Sequence, residues 1–401
     1  MTPAGSIAIE LYHRNGQASG TRIASSRPDA AARVLLGKTP EQVLDTVPLL
    51  FTLCGNAQAY AALLACRAAL GIAGEPELDT GRDMLVQLET LREHAWRILL
   101  DWPGFVGRAP DKKALAALLK FDAQFKRYLF RHGEPFKLDS GLDIDEVQLT
   151  RLIDELAALI DAAIFNGRMV DFQAISTEAQ LRDWLRQSDA LPAGLLNYLY
   201  SRNWMSVGQN NIACLPELDN ETLNRQMQQQ DLTIFCRTPH WQGCCVETTV
   251  LNRQLSQPLI AELQGRYGNG LVVRIVGRLL EVAGIPSRLK QLLTKIKGAA
   301  AIPAQSVADD GIALAQVQAA RGLLIHRLVL RQRRVYDYRI VAPTEWNFHP
   351  EGVVAQGLRQ LQADNPDDLR RQAELLVNAI DPCVQYTLNL TDSGNKAESH
   401  A

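Results

Sequence analysis

The chain has 401 residues, 47% of them hydrophobic, with 42 Lys+Arg against 44 Asp+Glu and a formal net charge of -2. This balance suits a soluble globular protein with a large core, and it gives no electrostatic basis for binding nucleic acid or an anionic membrane, because the basic residues are scattered. The opening MTPAGSIAIELYHRNG lacks a basic region followed by an apolar one, no apolar window is long enough to span a bilayer, and seven cysteines without a secretion signal point to reduced thiols in a cytoplasmic protein.

Two short apolar runs in residues 7–24 surround Asn15-Gly16, which predicts an antiparallel hairpin. Helical period then dominates. Met84, Leu88, Leu91, Ala95 and Ile98 predict an amphipathic helix that ends at Asp101, stopped by Pro103. Further helices are expected at roughly 111–131, closed by Gly133, and at 145–165, closed by Asn166-Gly167. Thr177 and Gln180 have the spacing of a capping box. The segment LVVRIVGRLLEVA, 271–283, is apolar nearly all round and predicts a buried central helix; 366–379 predicts a last amphipathic one. A second hairpin is expected in 322–342 around QRR, and the small polar residues 391–401 are expected to be a disordered tail. Without internal repeats or a long linker, the expectation is one α+β, mainly helical domain over 1–390, a central buried helix bundle with small antiparallel hairpins.

Three groups of residues could carry chemistry. Cys54 ends an apolar stretch just before a predicted helix, where the positive end of the dipole favours a thiolate. Cys383 follows Asp381-Pro382, and the proline fixes the direction in which the thiol is presented. For both, the plain alternative is a small buried hydrophobe. FCRTPHWQGCCVE supplies Cys236, His240, Cys244 and Cys245, residue types that zinc accepts, but as one cluster rather than the two knuckles of a structural zinc site, so partly buried thiols are the preferred reading. Gly268-Asn269-Gly270 lacks the third glycine of a dinucleotide fingerprint, since position 273 is Val.

Taken in order, TLCGNA (52–57), LREHAWRILLDW, GNGLVVRIVGRLLEVA, ARGLLIHRLVLRQRRVYDYRIVAPTEWNFHPEG and DPCVQYTLN (381–389) resemble the large subunit of nickel-iron hydrogenases over nearly the whole chain. In that family, Arg-x-Cys-Gly-x-Cys and Asp-Pro-Cys-x-x-Cys-x-x-His supply four thiolates to nickel and to an iron carrying cyanide and carbon monoxide. Here only the first cysteine of each pair is present. The second positions are Ala57 and Tyr386, the histidine positions are Ala61 and Asn389, and the family's proton-relay glutamate aligns near Ala32. Hydrogen cleavage needs both a thiolate bridge and a proton relay, so the resemblance excludes turnover.

The combination resembles the hydrogenase expression/formation proteins of the HupK/HoxV type. That likeness implies a large-subunit-like fold and a non-catalytic maturation scaffold. Such a scaffold transiently carries the iron fragment with its cyanide and carbonyl ligands, without nickel, and passes it to the hydrogenase large subunit precursor. It implies Cys54 and Cys383 as metal ligands, and Arg321, Asp381 and Asp101 as groups lining the pocket. A guanidinium fork there would donate to a cyanide nitrogen. The partners implied are a HypC-type maturation chaperone and a HypD-type maturation protein. Two other readings are a metal-free chaperone and a degenerate catalytic subunit.

Overall fold

The computed structural model describes residues 5–26, 30–51, 53–296 and 311–393. β1 (Ser6–Arg14) and β2 (Gln17–Ser25) pair antiparallel around Asn15 and Gly16, whose φ values of 49° and 77° are those that a tight hairpin turn requires. α1 (Gly55–Ala69) is buried along most of its length. α2 (Pro76–Trp96) does not end at Asp101: it runs through a π turn, Arg97–Asp101, into Trp102–Phe105. Pro103 does not stop it: Leu99 O, the carbonyl four residues back that its missing N–H leaves without a donor, accepts Asp111 N–H at 3.0 Å instead.

The helix expected over 111–131 is two, Lys112–Leu118 and Phe121–Leu129. α3 (Glu146–Ile160) buries Leu149, Leu152, Ile153, Leu156 and Ile160, continues through a π turn to Phe165, and stops at Asn166 with φ 54°. The capping box of Thr177 and Gln180 is present. α4 (Leu271–Lys295) is the central helix, packed against α2 and α3, and it extends well beyond residue 283 with Pro286 inside it. Its buried charges are paired: Arg274 with Glu247, and Glu281 with His94 at 2.7 Å and Arg253 at 2.6 Å. Removing one partner from such a pair leaves an uncompensated charge, which costs about 3–5 kcal/mol.

β3 (Ile312–Ala319), β4 (Gly322–Arg331) and β5 (Arg334–Val341) form an antiparallel sheet, so the second hairpin carries a strand that the sequence reading missed. α5 (Pro343–Asn347) and α6 (Pro366–Ile380) follow. β6 (Gln385–Asp392) then pairs parallel to β1, with Tyr386 opposite Ile7 and Asn389 opposite Glu10. The tail expected to be disordered from 391 therefore begins as the end of a strand, and residues 394–401 lie outside the described residues. Among the described residues, no helix is long and apolar enough to cross a membrane.

Candidate functional site

Arg321 sits in the two-residue turn between β3 and β4, and this turn is pressed hard against the segment at Thr248. Gly322, at φ 127°, has no room for a side chain, because a Cβ would meet the Thr248 carbonyl oxygen at 1.9 Å. Asn347, at the end of α5, ties the two together: its Nδ2 donates to Thr248 O at 2.8 Å and to Arg321 O at 3.3 Å, while its Oδ1 accepts Thr248 N–H at 2.9 Å. A buried guanidinium is thus carried on a backbone that hydrogen bonds hold from two sides.

Around it lies an ion network. Arg321 Nη2 donates to Glu93 Oε2 at 3.1 Å, and its Nε is 3.2 Å from Asp381 Oδ1 without hydrogen-bond alignment. Arg97 Nε donates to the same Oδ1 at 2.6 Å, and Arg278 Nη2 lies 3.7 Å from Asp381 Oδ2. Asp381 ends α6 in the left-handed region, φ 70°, which turns its carboxylate back into the protein. Burial alone would raise its pKa, but Arg321, Arg97 and Arg278 outweigh that and hold the carboxyl well below the usual carboxylate range. For Arg278, burial wins over Asp381 and lowers it to about 10. Burial also opposes the charge of Arg321, yet Asp381, Glu93 and the thiols of Cys383 and Cys54 more than compensate and raise its pKa.

Cys383 is buried, and the Thr344 hydroxyl of α5 donates to its Sγ at 2.9 Å. Cys54 caps α1, and its Sγ accepts from Gln58 Nε2 at 3.7 Å; Gln58 is in turn fixed through Oε1 by His326 Nε2 at 2.9 Å. The helix start does not serve the thiol as expected. Glu89 takes the N–H groups of Asn56 at 2.8 Å and Ala57 at 3.1 Å, so a carboxylate already occupies the positive end of α1.

Asp101 lies one step away from Arg321. It accepts from Arg97 Nη1 at 2.7 Å and from Asn378 Nδ2 at 3.0 Å, and Asn378 O in turn accepts from Arg278 Nη1 at 3.2 Å, so it reaches the centre through these two arginines. The positions where second thiols would stand are filled differently: Ala57 is fully buried in α1, and Tyr386 belongs to β6. Of Cys236, His240, Cys244 and Cys245, only His240 and Cys245 come together, and the third member of their group is His349. Glu93, Arg97, Arg278 and Thr344 were not singled out from the sequence. The four-residue spacing of Glu93, Arg97 and Asp101 puts them on one helix face and was the available signal.

No family model matches the chain. It is 31% identical to the hydrogenase expression/formation protein HoxV of Cupriavidus necator, over 98% of this chain and 98% of that one. It is 27% identical to the hydrogenase expression/formation protein HupV of Azotobacter chroococcum, over 96% of this chain and 99% of that one. Among solved structures, the Ni-Fe-Se hydrogenase from D. vulgaris Hildenborough superposes with a TM-score of 0.67 at 16% identity, covering 92% of this chain and 94% of that one. At such low identity the likeness speaks for the fold alone.

Proposed function

This chain belongs to the HoxV/HupK hydrogenase expression/formation proteins, and from that premise we propose that it is a non-catalytic, cytoplasmic scaffold whose cargo is the iron fragment with its cyanide and carbonyl ligands. One observation carries the reading: Ala57 and Tyr386 occupy the positions where the family's second thiols stand, which leaves Cys54 and Cys383 as single thiols, and Asp381, two residues before Cys383, is ion-paired with the buried Arg321.

Thiolates suit low-spin iron, and two of them hold it less firmly than four. Release to the large subunit precursor is then easier. Arg321 is a buried guanidinium on a backbone fixed by Asn347, which suits donation to a cyanide nitrogen. Asp381 and Arg97 keep that fork in place, with Asp101 supporting Arg97. Loading by a HypC-type chaperone with a HypD-type protein completes the proposal.

The test is infrared spectroscopy, with metal analysis, of protein purified without oxygen from a hydrogenase-producing host. Expected are cyanide and carbonyl bands, iron without nickel, and loss of the bands in the Cys54→Ser, Cys383→Ser double variant. Tightly bound nickel would favour a degenerate catalytic subunit. Absence of bands, together with a double variant that still supports hydrogenase maturation, would favour a metal-free chaperone.

A further inference from the structure

His240, Cys245 and His349 form a second group of potential ligands, and the backbone explains how they meet. Trp241 and Cys244 exchange both backbone hydrogen bonds, N–H to O at 2.9 and 3.0 Å, across a two-residue turn in which Gln242 and Gly243 have φ values of 51° and 79°. In such a turn the residues one step further out, His240 and Cys245, face each other and project to the same side. Gln226 clamps the turn by donating to His240 O at 2.7 Å. His349 comes from the loop after α5, and its ring packs edge-on to that of His240 with centroids 4.5 Å apart. One ligand atom from each of the three residues lies within 4.8 Å of the others, and Cys245 Sγ is 3.3 Å from His349 Nδ1. Tetrahedral coordination at roughly 2.0–2.3 Å separates ligand atoms by about 3.3–3.8 Å, so only a small contraction is needed.

Two further details favour a metal. His240 Nδ1 is 3.0 Å from Thr238 O, so it carries the proton there and Nε2 keeps its lone pair, the outer-shell arrangement that orients ligating histidines. His349 is buried and its Nε2 has no hydrogen-bond partner, while Nδ1 accepts from Glu351 N–H at 3.0 Å. The proton of His349 therefore sits on Nε2, and the lone pair of Nδ1, 3.3 Å from Cys245 Sγ, is on the side of the thiol, where a cation would take it in place of the Glu351 N–H. We propose that His240, Cys245 and His349 bind a divalent late first-row cation, through two ring nitrogens and one thiolate, with a fourth position left to water. Sulfur and nitrogen donors select this class over magnesium or calcium, which take oxygen ligands. Cys236 and Cys244 take no part in the group.

The full chain carrying Cys54→Ser and Cys383→Ser removes the thiols of the proposed iron site, so any thiolate signal must arise elsewhere. Anaerobic titration of this variant with Co2+ should give a thiolate-to-cobalt charge-transfer band that saturates at a single equivalent and is displaced by Zn2+. Adding Cys245→Ser should abolish the band. Adding His349→Ala should weaken binding by more than about tenfold, the scale at which even groups one step from a metal act. His240→Ala, at a half-buried position that tolerates truncation better, should do the same. A band that survives Cys245→Ser, or no band at all in the folded parent variant, overturns the assignment. Neither outcome bears on the iron fragment, because its thiols are absent throughout.

Discussion

Thr344 holds Cys383 twice: its hydroxyl donates to the thiol sulfur at 2.9 Å, and the same oxygen accepts Cys383 N–H at 3.2 Å. The motif Pro-Thr-Glu-Trp-Asn at 343–347 therefore has two tasks, since Asn347 fixes the Arg321 turn while Thr344 fixes Cys383. Thr344→Val keeps the shape but removes both bonds and leaves a buried N–H without a partner. The expected cost is about 1–3 kcal/mol in urea denaturation, with weaker cyanide and carbonyl bands and recovery in Thr344→Ser.

Arg321→Lys replaces a planar fork by a point charge that cannot serve Glu93 and Asp381 together. Iron should remain bound, because the thiols are untouched, while the cyanide frequencies move. Unchanged frequencies at full iron occupancy would mean that this side chain does not face a cyanide.

Asp381→Asn isolates charge from backbone, since asparagine accepts the left-handed conformation at this position. Three arginines lose their common carboxylate, and a loss of about 3–5 kcal/mol at neutral pH is expected from denaturant titration. The folded carboxyl titrates below its unfolded value. Its contribution is therefore present above about pH 3.9 and is lost as the pH falls further, so the gap between wild type and variant should narrow only in that acidic range. A gap that stays constant through acidification would show that the carboxylate's charge is not what stabilises the fold.

Proteolytic trimming after position 389, where hydrogenase large subunits carry their processing histidine, would cut β6 in the middle. Leu390, Thr391 and Asp392 pair with Leu11, Tyr12 and His13, and Ser393 N–H donates to His13 O at 2.9 Å. The chain should keep its tail in a hydrogenase-producing host. An intact mass corresponding to a species ending at Asn389 would contradict this.

How much of this could be read in advance depended on the kind of signal. Asn15-Gly16 marked its hairpin because few residues accept positive φ, and α3 followed from an apolar stripe with a clear stop at Asn166. β3 and β6 escaped because IALAQVQA and QYTLNLTD mix alanine, glutamine and asparagine into short alternations that favour strands only weakly. Cys54, Cys383, Arg321 and Asp381 were legible through the resemblance and not through composition, since nothing local brings residues so distant in sequence together. Arg278 was hidden because α4 reads as an apolar helix; its partners, Asn378 O, Ala379 O and the Asp381 carboxylate, all lie at the end of α6. The capture of the α1 start by Glu89 depends on the packing of two helices, which no single segment encodes.

The parallel pairing of β1 with β6 also has a kinetic side. Every helix described above lies within the loop that this pairing closes, and the thiols of the proposed iron site come from opposite ends of that loop. Closing a long loop costs chain entropy before any contact repays it, and contacts between distant segments form slowly. A partly folded chain would therefore present Cys54 or Cys383 without the other, and so only half of the proposed ligand set. If the proposed cargo is right, binding competence would be a late event in folding, and acceptance of the fragment would double as a check that the chain is fully folded.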